Sequence, residues 1–562
     1  MRTVWAACYF TFLCAVVASG VALAQVNLPG TVQPGQIERR FQPPPPPRST
    51  LAPIVPAVPA ERLAPAAARK ITLTLSSLQI SGSTVYTEAD LAPFYQPYLS
   101  KQITVATLYE IADAITTKYR NDGYILSRAF VPRQTIKDGR VRIGVIEGYV
   151  DNVRFEGRPH GRPELFQYYI DEIVNSRPLQ LSVLERYLLL AGDLAGLNVR
   201  SVFEPSPDKS GAAALVVILT EKPVEAQLGL DNRGTKSLGP LELNLSGALN
   251  NALGLYERTA LNVVLTPERV QDLQYYHLDH EETLNGEGTK FLSGFTYVRT
   301  DPGEILTPLD VQGRDTSFTL GISHPFIRSR EQNLSSGLTF RYEDVTTDQL
   351  GIRTADDRIR SLDLNISYDF IDQWRGISQA ILDLDHGLPF LGATPDSNPI
   401  PSRFAATTDF FKIAMHASRL QQLFYGFSVL SQVEGQYSPD SLVASEQFAF
   451  GGEPFGRGYD PAELTGDSGM AGSIELRYDP AIPVDFLSTA QFFTYYDAGE
   501  VFLHLHPAGP GSASATSAGL GVRLTPEPYL YASLEGDKPL SRIVAANGDK
   551  GWRVFFRIVA RY

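Results

Sequence analysis

Cysteine is nearly absent from this 562-residue chain: Cys8 and Cys14 are the only two, and both lie within the first 24 positions. That segment has one cation at Arg2, an apolar stretch from Val4 to about Val17, and Ala22-Leu23-Ala24 before Gln25. This is the three-part pattern of a secretory signal peptide with an A-x-A cleavage site. Cleavage leaves a chain without thiols, which excludes disulfides and cysteine-based metal sites. Long apolar runs are missing as well. No run of 18 apolar residues follows Gln25, which excludes a bundle of membrane helices but not a membrane barrel, whose strands are short and half polar. Clustered positive charge is also lacking. With 49 Lys+Arg against 62 Asp+Glu the formal charge is −13, and losing Arg2 makes the mature chain one unit more acidic. No nucleic-acid partner is expected, since phosphate binding needs clustered Lys and Arg.

Histidine is sparse, at eight residues. His277-Leu278-Asp279-His280 and His504-Leu505-His506 offer imidazoles without an evident third ligand, so no metal and no cofactor is expected. Gly466-Asp467-Ser468-Gly469 matches the nucleophile segment of chymotrypsin-like proteases, but no supporting histidine segment accompanies it. No P-loop or dinucleotide fingerprint stands out. The chain therefore reads as a non-enzyme with no catalytic residues and no visible means of hydrolysing ATP. A mean hydropathy of −0.10 and 43% hydrophobic residues resemble a soluble protein of roughly three to five globular units.

Proline is abundant, and its distribution is uneven. Residues 25–69 hold Pro43 to Pro47 in succession and then Ala/Pro alternation through Pro65, a composition that favours an extended polyproline spacer. One short helix is possible there, around Gln36 to Phe41. From Ile71 the pattern turns to β-type alternation. The spacing of Leu108, Ile111, Ala112, Ile115 and Tyr119 predicts a helix over 105–119, with Thr104 as N-cap and Gly123 as the stop. Strands through Phe130 and from Arg140 to Ile146 follow, joined at Lys137-Asp138-Gly139. A second α+β copy begins at Tyr149, with helices from about Pro163 to Val174 and from Val183 to Leu190. Ser182 to Glu185 reads as a capping box. The predicted units are 70–148 and 149–223.

The remainder, 224–562, shows almost no helical period. In its last twelve residues Trp552, Val554, Phe556, Ile558, Ala560 and Tyr562 share one face, while Arg553, Phe555, Arg557, Val559 and Arg561 share the other. Ala518, Leu520, Val522 and Leu524 alternate with Ser517, Gly519, Gly521 and Arg523 in the same way. An apolar face opposite a charged one suits a strand between lipid and a wet lumen, and the region has room for about 16 antiparallel strands of some ten residues each.

Phe450-Gly451-Gly452-Glu453-Pro454-Phe455-Gly456-Arg457-Gly458-Tyr459, Tyr495-Tyr496-Asp497-Ala498-Gly499, Asp231-Asn232-Arg233-Gly234 and the terminal aromatic strand occur in that setting. Taken in order they resemble the TpsB transporters of two-partner secretion, the ShlB/FhaC/HecB-like haemolysin secretion/activation family of the BamA-like superfamily. Gly456 replaces the aliphatic residue of the family's [Val/Ile]-Arg-Gly-[Tyr/Phe] motif, and Tyr495 replaces the Phe of Phe-x-Asp-x-Gly. The resemblance implies α+β POTRA domains followed by an all-β transmembrane barrel in a Gram-negative outer membrane, with the POTRA domains in the periplasm. It implies a lumenal-loop motif of Arg457, Gly458 and Tyr459, paired with Asp497 and Gly499 on the barrel wall. A terminal insertion signal at Phe556, Ile558 and Tyr562 is implied for the barrel assembly machinery. The implied function is export, without ATP, of a large unfolded exoprotein of adhesin or haemolysin type that bears an N-terminal secretion domain, with the segment near Gln36 to Phe41 as a removable plug. The alternative is an assembly factor that inserts other barrels.

Overall fold

The computed structural model describes residues 28–42, 44–50, 66–157, 160–206, 209, 211–481, 487–504, 511–527 and 529–562. The expected signal peptide and His506 lie outside these residues.

Two small α+β units come first. In the first, Ser77–Ser81, Arg140–Ile146 and Arg128–Phe130 form a three-stranded sheet in that order, covered by the helix Val105–Asn121. The helix starts where Thr104 accepts the Thr107 N–H and ends before Gly123, whose φ of +90° only glycine adopts without strain. Its face of Leu108, Ile111, Ile115 and Tyr119 packs on Leu78, Val141 and Ile143. In the second unit Tyr149–Glu156, Ala212–Glu221 and Leu197–Pro205 form the sheet, with the helices Pro163–Asn175 and Leu181–Gly192. The capping box at Ser182 is not formed. The helix begins at Leu181, two residues ahead of the expected Val183, behind Gln180, with no side-chain cap. Instead the Leu181 N–H donates to the Gly123 carbonyl (2.8 Å) of the first unit, so tertiary contact satisfies a donor that local sequence leaves to a cap. A capping box does occur at Thr87 and Asp90, ahead of the short helix Glu88–Leu91.

The rest is a closed barrel of sixteen strands from Val224–Asp231 to Arg553–Arg561, each paired antiparallel with its neighbours in sequence. A bilayer on one side and water on the other impose a period of two on each strand. Along Thr489–Phe502, Phe492 and Tyr496 are about half exposed while Phe493, Tyr495 and Asp497 are buried. Leu320, Ile322, Leu338, Ile474, Leu520 and Val554 face outward likewise. The barrel closes between its first and last strands over a short ladder from Arg557↔Asp231 to Arg561↔Gln227. There Asn232 bonds the last strand at both ends of its amide: Nδ2 donates to the Val554 carbonyl (3.0 Å) and Oδ1 accepts from the Phe556 N–H (2.7 Å).

The second unit docks on the turns at one end of the barrel. Arg328 holds Asp193 at 2.7 and 2.8 Å, Arg186 and Tyr187 hold Glu287 at 2.6 and 2.9 Å, and Arg162 pairs with Glu282. The end that bears these turns is thus the end facing the α+β units.

In the first unit, burial works against ionisation of Glu147. Hydrogen bonds from the Thr84 side chain, the Val85 and Thr84 amides and the Tyr119 hydroxyl outweigh it and hold the carboxyl below the ordinary carboxylate range. A carboxylate with a lowered folded-state pKa contributes fully above the unfolded value and loses that contribution as pH falls through the folded one. Glu147→Gln is expected to destabilise this unit by about 1 kcal/mol at pH 7. Its difference from the wild type should shrink below about pH 4, which urea titration of the full chain in detergent, followed by helical circular dichroism, checks.

Candidate functional site in the barrel lumen

Between the strands Phe427–Tyr437 and Ser468–Tyr478 the chain leaves the barrel wall and returns through a small lumenal hairpin, Phe448–Phe450 with Leu464–Gly466. The loop at its tip carries Arg457 into contact with Asp497. Arg457 Nε donates to Asp497 Oδ2 at 3.1 Å and Nη2 to Oδ1 at 3.0 Å, the two-point grip that a planar guanidinium allows. The amides of Gly456 and Arg457 add bonds of 3.1 and 3.0 Å to Oδ2, so the carboxylate, 0% exposed, accepts four donors. The same guanidinium reaches Glu475 Oε2 at 2.5 Å and Ser473 Oγ at 3.0 Å and lies 3.4 Å from the centre of the Tyr495 ring. Arg477 and Arg523 hold the remaining charge of Glu475, each at 2.7 Å.

The glycines of the motif have separate reasons. A Cβ on Gly458 would stand 2.9 Å from Ser517 and 3.1 Å from the backbone at Lys538 and Pro539, so the loop lies flat on the wall there. Gly499 receives the Phe450 ring, which passes 2.2 Å from where a Cβ would be. Gly456, which departs from the family pattern, has φ +88° and meets the same ring at 2.7 Å. An aliphatic residue cannot take this loop conformation. Tyr459 is buried and donates its hydroxyl to the Thr516 carbonyl at 3.0 Å.

The terminal strand grips the loop from the other side. Arg553 pairs with Asp460, and Arg557 bonds Glu453 at 2.7 Å and Asp231 at 3.3 Å. Arg233 pairs with Glu535. Ile558 and Tyr562 point outward and Phe556 is partly covered. Thus Arg457, Gly458, Tyr459, Asp497 and Gly499 come together, while Phe556, Ile558 and Tyr562 lie apart on the outer face. The motif reading did not single out Glu475, Arg523, Arg233 and Glu453. Alternation places Arg523 on the lumenal face; Glu475 is likewise buried there, and only the fold shows what the two touch.

A second segment occupies the lumen. The helix Pro34–Arg40 has Pro34, Gly35, Gln36, Ile37 and Glu38 buried. Val32 and Ile37 pack among Leu238, Val264, Leu273, Tyr275 and Val298. Arg40 forks onto Glu242 with two bonds of 2.7 Å. Arg39 and Lys412 both pair with Glu446. Beyond the helix, Pro45 and Ser49 bond Gln379 and Asp369 on the wall, and Thr50 bonds Arg330 in a turn at the α+β end. Residues 28–42 and 44–50 therefore lie within the barrel, reaching its α+β end at Thr50.

His277 and His280 bond Thr296 and Thr259, His504 bonds the Ser438 carbonyl, and Asp467 is buried against Arg403.

Residues 215–524 match the family described as haemolysin secretion/activation protein ShlB/FhaC/HecB. The chain belongs to this family. Residues 73–148 match the POTRA domain of ShlB type. The outer membrane transporter CdiB of Escherichia coli is 26% identical over 465 residues, covering 80% of this chain and 76% of its own. The heme/hemopexin transporter protein HuxB of Haemophilus influenzae strain 86-028NP is 22% identical and covers 82% of each. The solved structure of CdiB from E. coli superposes with a TM-score of 0.70 at 22% identity, over 92% of this chain and 94% of that one. BamA from Haemophilus ducreyi gives 0.52 at 14% identity, over 87% of this chain and 100% of that one, a likeness of fold alone. As a ShlB/FhaC/HecB protein the chain is an outer-membrane transporter of two-partner secretion, and the family relation favours this over barrel assembly.

Arg457→Ala leaves Asp497 and Glu475 buried with their shared cation gone, a change that costs about 3–5 kcal/mol at buried pairs. The barrel, held by its strand ladders, is expected to keep its heat-shifted electrophoretic mobility while the loop around 451–463 becomes sensitive to limited proteolysis. Loop resistance equal to that of the wild type would overturn the assignment of Arg457 as its anchor.

Proposed function

We propose that this transporter exports one large unfolded exoprotein, recognised through an N-terminal secretion domain, by clearing a lumen that two polar-anchored segments fill at rest. The observation that carries the reading is the anchoring itself. Both the Arg457 loop and the helix Pro34–Arg40 are tied to the wall by ion pairs and hydrogen bonds beside small apolar seats, and water or a passing polypeptide can replace the polar ties. The chain is read as signal peptide 1–24, spacer 25–69, POTRA units 70–148 and 149–223, and barrel 224–562.

The POTRA units would capture the exoprotein in extended form beside their sheets. Arg128–Phe130 and Leu197–Pro205 are the last strands of the two sheets, with Phe130 and Val202 exposed, and the Ala129 N–H is already held by Thr116 Oγ1 at 2.9 Å. The helix then withdraws as a plug, the exoprotein passes the polar lumen, and its folding outside biases transport without ATP. Arg457, Gly458, Tyr459, Asp497 and Gly499 act as positioning residues that keep the loop in register with the wall. Phe556, Ile558 and Tyr562 on the outer face of the last strand serve recognition by the barrel assembly machinery and contact with outer-membrane lipid. No catalytic step is assigned to any residue.

Asp497→Ala is expected to leave the barrel inserted and to lower export of the exoprotein at least tenfold, measured as the missing large polypeptide in the culture medium. Wild-type export would sink the role of the loop. Deleting residues 25–42 is expected to raise single-channel conductance in planar bilayers; unchanged conductance would count against plugging.

A further inference from the structure

Apart from the Arg457 site, the lumen holds a second group of acids where the helix Pro34–Arg40 leans on the wall. One carboxylate oxygen each from Glu38, Asp315 and Glu343 lies within 4.8 Å of the others, and the three residues are 2%, 1% and 1% exposed. Register explains the two wall acids. Asp315 and Ser317 share a face of the strand Gln312–Arg328, and Glu343 stands opposite Ser317 on the next strand, so the carboxylates are diagonal neighbours on the lumenal side.

Their partners do not balance them. Arg341 reaches Glu343 through Oε2 alone, at 3.3 Å. Ser317 Oγ and Gln42 Nε2 donate to Glu38, both at Oε1, at 2.7 and 3.2 Å. Neither oxygen of Asp315 has a hydrogen-bond partner. Arg39, on the same helix, is committed to Glu446. Three carboxylates beside one guanidinium leave two negative charges in surplus. A buried carboxylate without a donor is not tolerated unless a positive charge or a proton meets it.

We propose that Glu38, Asp315 and Glu343 form a divalent-cation site that ties the lumenal helix to the barrel wall. The donor set is all hard oxygen, which selects calcium or magnesium over softer metals. Calcium bonds oxygens at about 2.3–2.6 Å, so its ligands stand up to about 5 Å apart, whereas magnesium at about 2.0–2.1 Å holds them within about 4.2 Å. Oxygens within 4.8 Å of one another come inside calcium's reach without rearrangement. Because one ligand is on the helix and two are on the wall, bound calcium stabilises the helix inside the lumen by its own binding free energy. That consequence rests on the plug reading; the site itself does not.

The test is calorimetric titration of the full chain in detergent with calcium chloride after treatment with EDTA, followed by conductance of the same samples. One saturable site per chain is expected, weakened at least tenfold by Glu38→Gln and by Asp315→Asn and unchanged by Glu434→Gln, on the strand Phe427–Tyr437 and outside the cluster, with heat-shifted mobility as the control for folding. Absence of saturable binding at millimolar calcium would overturn the site, as would binding that survives both substitutions. Absence of calcium binding together with conductance that follows pH would assign a shared proton in its place. Calcium that binds as expected yet leaves conductance unchanged would support the site and remove the plug reading instead.

Discussion

Everything in the barrel follows from the hydrocarbon on its outer side. A charge facing lipid near the midplane costs about 2–4 kcal/mol, so the outward positions of the strands are apolar and the charges of the wall collect inside. Glu475, Asp497, Arg523, Asp315, Glu343 and Lys412 are all buried or half-buried in the lumen for this reason. Once there, each must find a partner, because a lone buried charge is more costly than a paired one. The lumen is therefore a network of ion pairs before it is a channel, and the segments lodged in it are held by that network.

Two segments use the network in different ways. The loop around Arg457 enters from the wall and returns to it, and its guanidinium joins Asp497 and Glu475, which stand on neighbouring strands. The helix Pro34–Arg40 belongs to no strand and enters on a proline-rich tether, with Arg39 and Arg40 as its charged attachments. Ile37, Val32 and Phe41 add a small apolar seat around Tyr275. A helix this short is not stable alone; the lumen is what makes it a helix.

The outlines of both α+β units were legible because Leu108, Ile111, Ile115 and Tyr119 carry a helical period and Thr104 a cap, all local signals. The start of the helix Leu181–Gly192 was not, because its first donor is satisfied by Gly123 from the other unit rather than by Ser182. Arg457 and Asp497 were legible through short motifs in order. Their bond to Glu475 was not, since nothing in the spacing of residues 457 and 475 tells which strand will lie beside the loop. The replacement of an aliphatic residue by Gly456 looked like a departure from pattern and has a steric cause that only the position of the Phe450 ring reveals.

Period-two alternation from Glu225 to Tyr562 is a local property, so the sequence by itself determined a barrel with a lipid face, a charged lumen and about 16 strands. Both cysteines, Cys8 and Cys14, fall within the first 24 residues, whose pattern leads one to expect a signal peptide. Which lumenal charges meet is a matter of register and closure between residues far apart in the chain. Arg40 finds Glu242, Arg39 finds Glu446 and Arg557 finds Glu453 only after the barrel has brought them together. The tertiary structure alone decided these pairs, and with them the filling of the lumen by its own N-terminal helix, because Coulomb attraction acts on distance in space and leaves no period in the sequence.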